Sequence, residues 1–354
     1  MKILLVRLRQ IGDVVFTTPT FAALTTRFPS AQLTYVVEPS GAPVVVGNPH
    51  LADVIVAPRL SGLRGLRHDI ALGRRLARAQ FDIAIDFHGG PRASLLTWLS
   101  RAPRRVGYEI AGRSWMYTDR VPRPRELRAR HSVENQWDLL TPLGVPPPTR
   151  EQNPVTMPLD QATASRVQQR LAAQGVSDTT TIVVMHVSAG NPFRRWPLDS
   201  FVQVAVSLAE IASTIRVLVT SGPSEADAAR QVIDTARSRL PETSREQVLE
   251  CGEFSLQELR ALTEIAALYI GGDSGPMHVA STSRVPMVSL YGPTLPARSE
   301  PWRGGAPAAG IEVHGLPCRP CDQRVCAPGD FRCLTRIAPT EVIEAAARLL
   351  RRNG

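Results

Sequence analysis

Short apolar runs, each followed by a glycine or polar turn and then by apolar positions at helical spacing, recur along the chain from its first residue. That alternation is the pattern of βαβ units and parallel sheets. In the first half, residues 2–8, 32–37, 54–57, 81–87 and 104–108 read as strands, and 18–27 and 66–79 as helices. A polar, proline-rich stretch after Leu143 suits a linker. A second series places strands at 181–187, 216–220, 268–271 and 287–291, alternating with helices at 198–211, 225–238 and 256–265.

The expected fold class is therefore α/β, with two Rossmann-like domains. Residues 1–160 form the first, with the linker near 144–160, and residues 161–354 the second. The last helix, 339–352, is amphipathic and can dock on either half, including back on the first. Ligands of such folds sit beyond the carboxyl ends of the strands, which places the site in a central cleft that the two halves face.

Composition adds little to this picture until charge is considered. The chain has 354 residues, 43% hydrophobic and 21% charged, an ordinary globular balance. Its start is too soon interrupted by charge for a secretory signal, and no uncharged apolar run approaches a membrane span, so a cytoplasmic location with reduced thiols is expected. Net charge is +9, of which +8 falls in residues 1–160. Arginine carries it, in one cluster at Arg59, Arg64, Arg67, Arg74, Arg75 and Arg78 and another between Arg101 and Arg130. Such faces suit a phosphorylated or carboxylated partner, an anionic membrane surface or nucleic acid, or are simply solvated. The arginine clusters largely lack interleaved aromatics, which argues against nucleic acid.

Candidate chemistry lies at the strand ends. Gly271 to Ser281 follow an apolar run and read into a helix, an arrangement of free backbone N–H groups and helix dipole that cradles an anion; Asp273 or Ser274 could equally cap that helix. Gly12-Asp13 ends the first strand and presents a carboxylate able to take a proton from a hydroxyl, or to cap a helix. After the strand at 181–187 come Ser188, Gly190 and the pair Arg194 and Arg195, placed to neutralise a diphosphate or to flank a packing Trp196. Glu225, after Thr220-Ser-Gly-Pro-Ser, could meet a ribose hydroxyl or begin the next helix.

Taken in order, Gly12-Asp13, Ser-Ala-Gly at 188–190, Arg-Arg-Trp-Pro at 194–197, Ser-Gly-Pro-Ser-Glu at 221–225 and Gly-Asp-Ser-Gly-Pro-Met-His at 272–278 resemble the lipopolysaccharide heptosyltransferases of glycosyltransferase family 9 over nearly the whole chain. The resemblance implies a GT-B architecture. It also implies inverting transfer of heptose from ADP-heptose to an inner-core sugar of lipopolysaccharide, Kdo or heptose, with no cofactor required for catalysis. Asp13 then matches the general base, and Asp273, Ser274, Gly275 and His278 match the donor-binding turn. Arg194, two residues before Trp196, stands where the family commonly has a lysine on the donor phosphates, which keeps a cation but changes its hydrogen-bond geometry. The implied partners are ADP-heptose or a related nucleotide sugar and an anionic lipopolysaccharide precursor, met at the inner membrane face, with no nucleic acid. Alternatives are the same fold with a protein hydroxyl or O-antigen sugar as acceptor, another nucleotide sugar as donor, a non-transferring or epimerising GT-B protein, and a basic nucleic-acid-binding protein.

Four of the five cysteines, Cys318, Cys321, Cys326 and Cys333, fall within sixteen residues. In a cytosolic protein this density suits a structural zinc or iron site, although the spacing matches no standard zinc finger and the thiols could be free or paired.

Overall fold

The computed structural model describes residues 1–123, 129–187 and 189–352. The chain divides into two compact units, one of residues 1–158 with 302–304, the other of residues 159–301 with 305–354.

In the first unit, β1 (Lys2–Val6), β2 (Gln32–Val37), β3 (Leu51–Val56), β4 (Ile83–Asp86), β5 (Arg104–Tyr108) and β6 (Asp119–Val121) alternate with α1 (Ile11–Thr17), α2 (Pro19–Arg27), α3 (Ala42–Val45), α4 (Gly62–Arg78), α5 (Pro91–Leu99) and α6 (Ser132–Trp137). The described strands pair in parallel in the order β3-β2-β1-β4-β5-β6. Ile3 to Val6 are fully buried because helices cover both faces of the sheet. Helix α1 starts well before the expected 18–27 segment, and the chain pauses only at Thr18 because Pro19 has no N–H to continue the ladder. Residues 302–304 join this unit through Trp302, whose indole donates to the Asn153 carbonyl at 2.8 Å and stacks tilted on His131 at 4.6 Å.

The second unit repeats the plan. Its elements are α7 (Gln161–Ala172), β7 (Thr181–His186), α8 (Leu198–Ile211), β8 (Ile215–Thr220), α9 (Ala226–Arg239), β9 (Val248–Leu249), α10 (Leu256–Ile265), β10 (Leu268–Gly272), α11 (Gly275–Ala280), β11 (Met287–Tyr291), α12 (Pro296–Ser299), β12 (Ala308–Glu312), α13 (Arg332–Thr335) and α14 (Pro339–Arg351). The described strands are parallel in the order β12-β11-β10-β7-β8-β9, the same doubly wound order as the first sheet when read from β9. Helix α14 buries Val342, Ala345, Ala346 and Leu349 in this unit's core beside α8. The short strands β6 and β9 and the edge strand β12 have no clear apolar alternation, which hid them from the sequence pattern.

Each doubly wound sheet changes winding direction at one place, between β1 and β4 in the first unit and between β7 and β10 in the second. At such a point the loops leaving the strands diverge to opposite faces and open a crevice.

Candidate active site

In the first unit the crevice is framed by the residues that follow β1 and β4. Asp13 lies in the first turn of α1, with Gln10 in the N-cap position, so its carboxylate does not cap the helix. It forms an ion pair with Arg7, the residue just past β1, and remains about one-third exposed. Arg7 is fixed from its other side by donating to the Phe87 carbonyl at 2.5 Å. The Asp13 carbonyl accepts from the Thr17 hydroxyl at 2.8 Å and from the Gln136 amide at 3.1 Å, anchoring the turn.

The end of β4 and the turn that follows it carry groups outside the expected site. Asp86 is fully buried and accepts from the backbone N–H groups of His88 at 2.9 Å and Gly89 at 2.8 Å, the Tyr117 hydroxyl at 2.6 Å and the Ser94 hydroxyl at 3.2 Å. Burial pushes its carboxyl above the ordinary value, and these hydrogen bonds oppose that rise. His88 is pushed down to about 4, first by burial and next by the positive charge of Arg7, so its imidazole is neutral near pH 7. The signal was present in the sequence, Asp-Phe-His-Gly-Gly at the exit of an apolar strand.

The second crevice holds most of the expected donor residues. Ser188 lies outside the described residues. Gly190 is exposed, with open space where a Cβ would stand. Arg194 reaches the turn after β10, donating to the Asp273 carbonyl at 2.9 Å and pairing with the Asp273 carboxylate at 3.4 Å. Asp273 also accepts from the Thr294 hydroxyl at 2.5 Å and lies 3.3 Å from His278 Nε2. Burial opposes its ionisation, yet His278, Arg194 and Thr294 together hold Asp273 well below the usual carboxylate range. Asp273 is thus the anchor of the turn. Ser274 occupies the N-cap position of α11, but its hydroxyl does not cap the helix and has no partner among the described residues.

Arg195 turns the other way, donating to the Ala189 carbonyl at 2.9 Å and to the Glu225 carboxylate at 2.8 Å. Glu225, expected near a ribose, is buried against this arginine. At the end of β7, His186 meets the Thr220 hydroxyl at 2.9 Å and is pushed by burial down to about 4.

The cysteine segment belongs to this crevice by its polar side chains. Gln323 Oε1 accepts from Arg194 Nε and from the Asn191 amide, each at 2.8 Å, and Arg319 donates to the Thr294 carbonyl at 2.6 Å while pairing with Glu312 at 2.8 Å. Cys318, Cys321, Cys326 and Cys333, the expected zinc or iron ligands, lie in this segment. All four are half-buried free thiols, and among the described residues no three of His, Cys, Asp or Glu stand together so as to hold an ion. The segment is tethered to the crevice by Arg319 and Gln323. No local pattern marks Gln323, because its partner Arg194 is 129 positions away.

A family model described as glycosyltransferase family 9 (heptosyltransferase) matches residues 70–330. The chain is 27% identical over 302 residues to lipopolysaccharide heptosyltransferase 3 of Escherichia coli strain K12, spanning 83% of each protein. Among solved structures, a glycosyl transferase family 9 protein from Veillonella parvula DSM 2008 superposes with a TM-score of 0.86 at 24% identity, covering 99% of this chain and 97% of that one. The E. coli ADP-heptose lps heptosyltransferase II superposes with a TM-score of 0.78 at 19% identity, covering 100% and 99%.

Proposed function

Since the chain belongs to glycosyltransferase family 9 (heptosyltransferase), we propose that it transfers heptose from ADP-heptose to an inner-core sugar of a lipopolysaccharide precursor, with inversion at the anomeric carbon and Asp13 as general base. The observation that carries this reading is the placement of complementary groups at the switch points of two sheets. The first sheet presents a partly exposed carboxylate held by Arg7, and the second presents a guanidinium held on the turn before α11.

The acceptor hydroxyl attacks the anomeric carbon and its proton passes to Asp13. The bond from that carbon to the diphosphate oxygen breaks, its electron pair leaving with ADP. Arg194 and the uncapped N–H groups at the start of α11 offset the charge growing on the departing diphosphate. Arg195, Glu225 and Asp273 shape the donor pocket rather than react. Neutral His88 beside Arg7 and Asp13 offers the acceptor a hydrogen-bonding group without adding a charge. The acceptor is anionic and lipid-anchored, so the protein works at the cytoplasmic face of the membrane that carries it.

The test is release of ADP from ADP-heptose in the presence of heptose-deficient lipopolysaccharide. Asp13→Asn should lower turnover by about a hundredfold or more, with ADP binding by calorimetry unchanged. Turnover near the wild-type rate would remove Asp13 from its role.

A further inference from the structure

Helix α4 has a broad apolar arc, and the fold buries only part of it. Gly65, Leu72, Gly73 and Leu76 point inward, with Gly73 packed so closely on α5 that an added Cβ would lie 2.7 Å from Leu99. About a third of a turn round the helix, Leu63, Leu66 and Ile70 form a second stripe at helical spacing, 73%, 55% and 40% exposed, and Leu60 just before the helix is 48% exposed. Isolated exposed leucines need no explanation, but a stripe on one helix face does.

The helix cannot roll to bury this stripe. Arg92 of α5 grips Asp69 through Nε at 3.1 Å and Nη2 at 2.9 Å, and donates to the carbonyls of Ala57 at 3.1 Å and Pro58 at 2.9 Å in the approach to α4. These contacts fix the helix with Leu63, Leu66 and Ile70 outward.

The flanks of the stripe are strongly basic. Between residues 57 and 80 stand Arg59, Arg64, Arg67, Arg74, Arg75 and Arg78, against the single acidic Asp69, itself taken by Arg92. Arg75 pairs weakly with Asp53 at 3.4 Å, whereas Arg64, Arg67 and Arg74 are exposed and have no acidic partner among the described residues. A helix with leucines on one face and arginines beside them matches an anionic bilayer surface, where the apolar side chains enter the headgroup boundary and the guanidinium groups meet phosphates.

We infer that α4 and the preceding Arg59-Leu60 form a docking surface for anionic phospholipid bilayers. Because the strands of the first sheet are parallel, the segment leaving β3 emerges at the same sheet edge as Asp13 after β1 and His88 after β4. The leucines at the start of α4 therefore lie on the edge that carries the general base. Docking there holds the enzyme where a lipid-anchored sugar emerges from the bilayer. The value of the contact to catalysis rests on the proposed transfer, but the contact itself does not.

The experiment is co-sedimentation of the intact protein with vesicles of phosphatidylcholine alone or doped with phosphatidylglycerol, with neither donor nor acceptor present. Wild type should pellet with the anionic vesicles, stay in solution with neutral ones, and be released by salt. The doubly substituted Leu63→Glu, Leu66→Glu protein and the Arg64→Glu, Arg67→Glu, Arg74→Glu protein should each bind about tenfold more weakly or worse. Their melting temperatures should match wild type, because the replaced side chains are exposed. Wild-type binding without preference for anionic vesicles, undiminished binding by the leucine variant, or binding to duplex DNA with none to vesicles would each overturn the inference. Loss of sugar transfer with vesicle binding intact would instead count against the proposed reaction, so the two failures are distinguishable.

Discussion

At the scale of single residues, the acidic groups of the two crevices differ in environment, and their roles follow from it. Asp13 is partly exposed with one cationic partner, whereas Asp273 is 2% exposed and engaged by Arg194, His278 and Thr294. Asp273→Asn keeps the volume but leaves Arg194 without its countercharge. We expect a loss of about 2–4 kcal/mol in stability by urea unfolding, together with a raised KM for the nucleotide sugar because the guanidinium is no longer aimed. An unchanged KM would mean that the Asp273 carbonyl and Gln323 suffice to hold Arg194. Sequence reading reached both arginines and Asp273 because they sit at strand exits with recognisable spacing. It placed Asp273 in the donor-binding turn or as a cap, and Glu225 at a ribose or a helix start, since a sequence does not show which neighbour a carboxylate meets in the fold. It missed Arg7, Asp86 and Gln323 for a related reason: each acts through a partner that only the folded chain supplies.

At the scale of elements, a glycine on β5 controls the turn beside Asp13. A Cβ on Gly107 would run into the Tyr117 ring. That ring cannot simply swing aside, because its hydroxyl donates to Asp86 at 2.6 Å and lies 2.7 Å from the Ser94 hydroxyl. Moving it leaves the buried Asp86 short of a donor, and Asp86 in turn holds the N–H groups of His88 and Gly89. Gly107→Ala should therefore cost about 2–3 kcal/mol and lower transfer, whereas Tyr117→Phe should keep the packing and lose only the hydrogen bond. Equal melting temperatures for Gly107→Ala and wild type would disprove the coupling. Helices α2, α4, α8, α9, α10 and α14 and the long strands were legible because their apolar faces repeat at the right period, whereas α1, α6 and α7 were not read. Helix α5, opening Pro-Arg-Ala-Ser, was not, since its buried side is built from Ala93, Ser94, Leu96 and Thr97 and its hydrophobic contrast is low. The outward stripe of α4 was legible as arginine alone; that its leucines face solvent depends on Arg92, which no local pattern shows.

At the scale of the whole molecule, each unit carries a histidine kept neutral in its crevice, and this ties stability to pH. His186 in the second unit and His88 in the first are both pushed down to about 4, chiefly by burial. The unfolded chain binds a proton at each near pH 6.5 while the folded chain does not. The stability they confer is therefore complete above about pH 6.5 and is lost as pH falls from there toward 4. In the first unit Asp86 works against this trend, because a carboxyl raised by burial takes up its proton more readily when folded and so favours lower pH. In the second unit the strongly perturbed carboxylate is Asp273, which is depressed and loses its contribution only below the ordinary carboxylate range of about pH 4. Between pH 7.5 and 5 the second unit should therefore lose about 2 kcal/mol through His186 alone. His186→Gln, uncharged at both pH values, should flatten the fall in urea midpoint over that interval, whatever it does to stability at pH 7.5. A variant whose midpoint falls as steeply as wild type would show that His186 is protonated in the folded state at pH 5, and that another group sets the acid sensitivity of this unit.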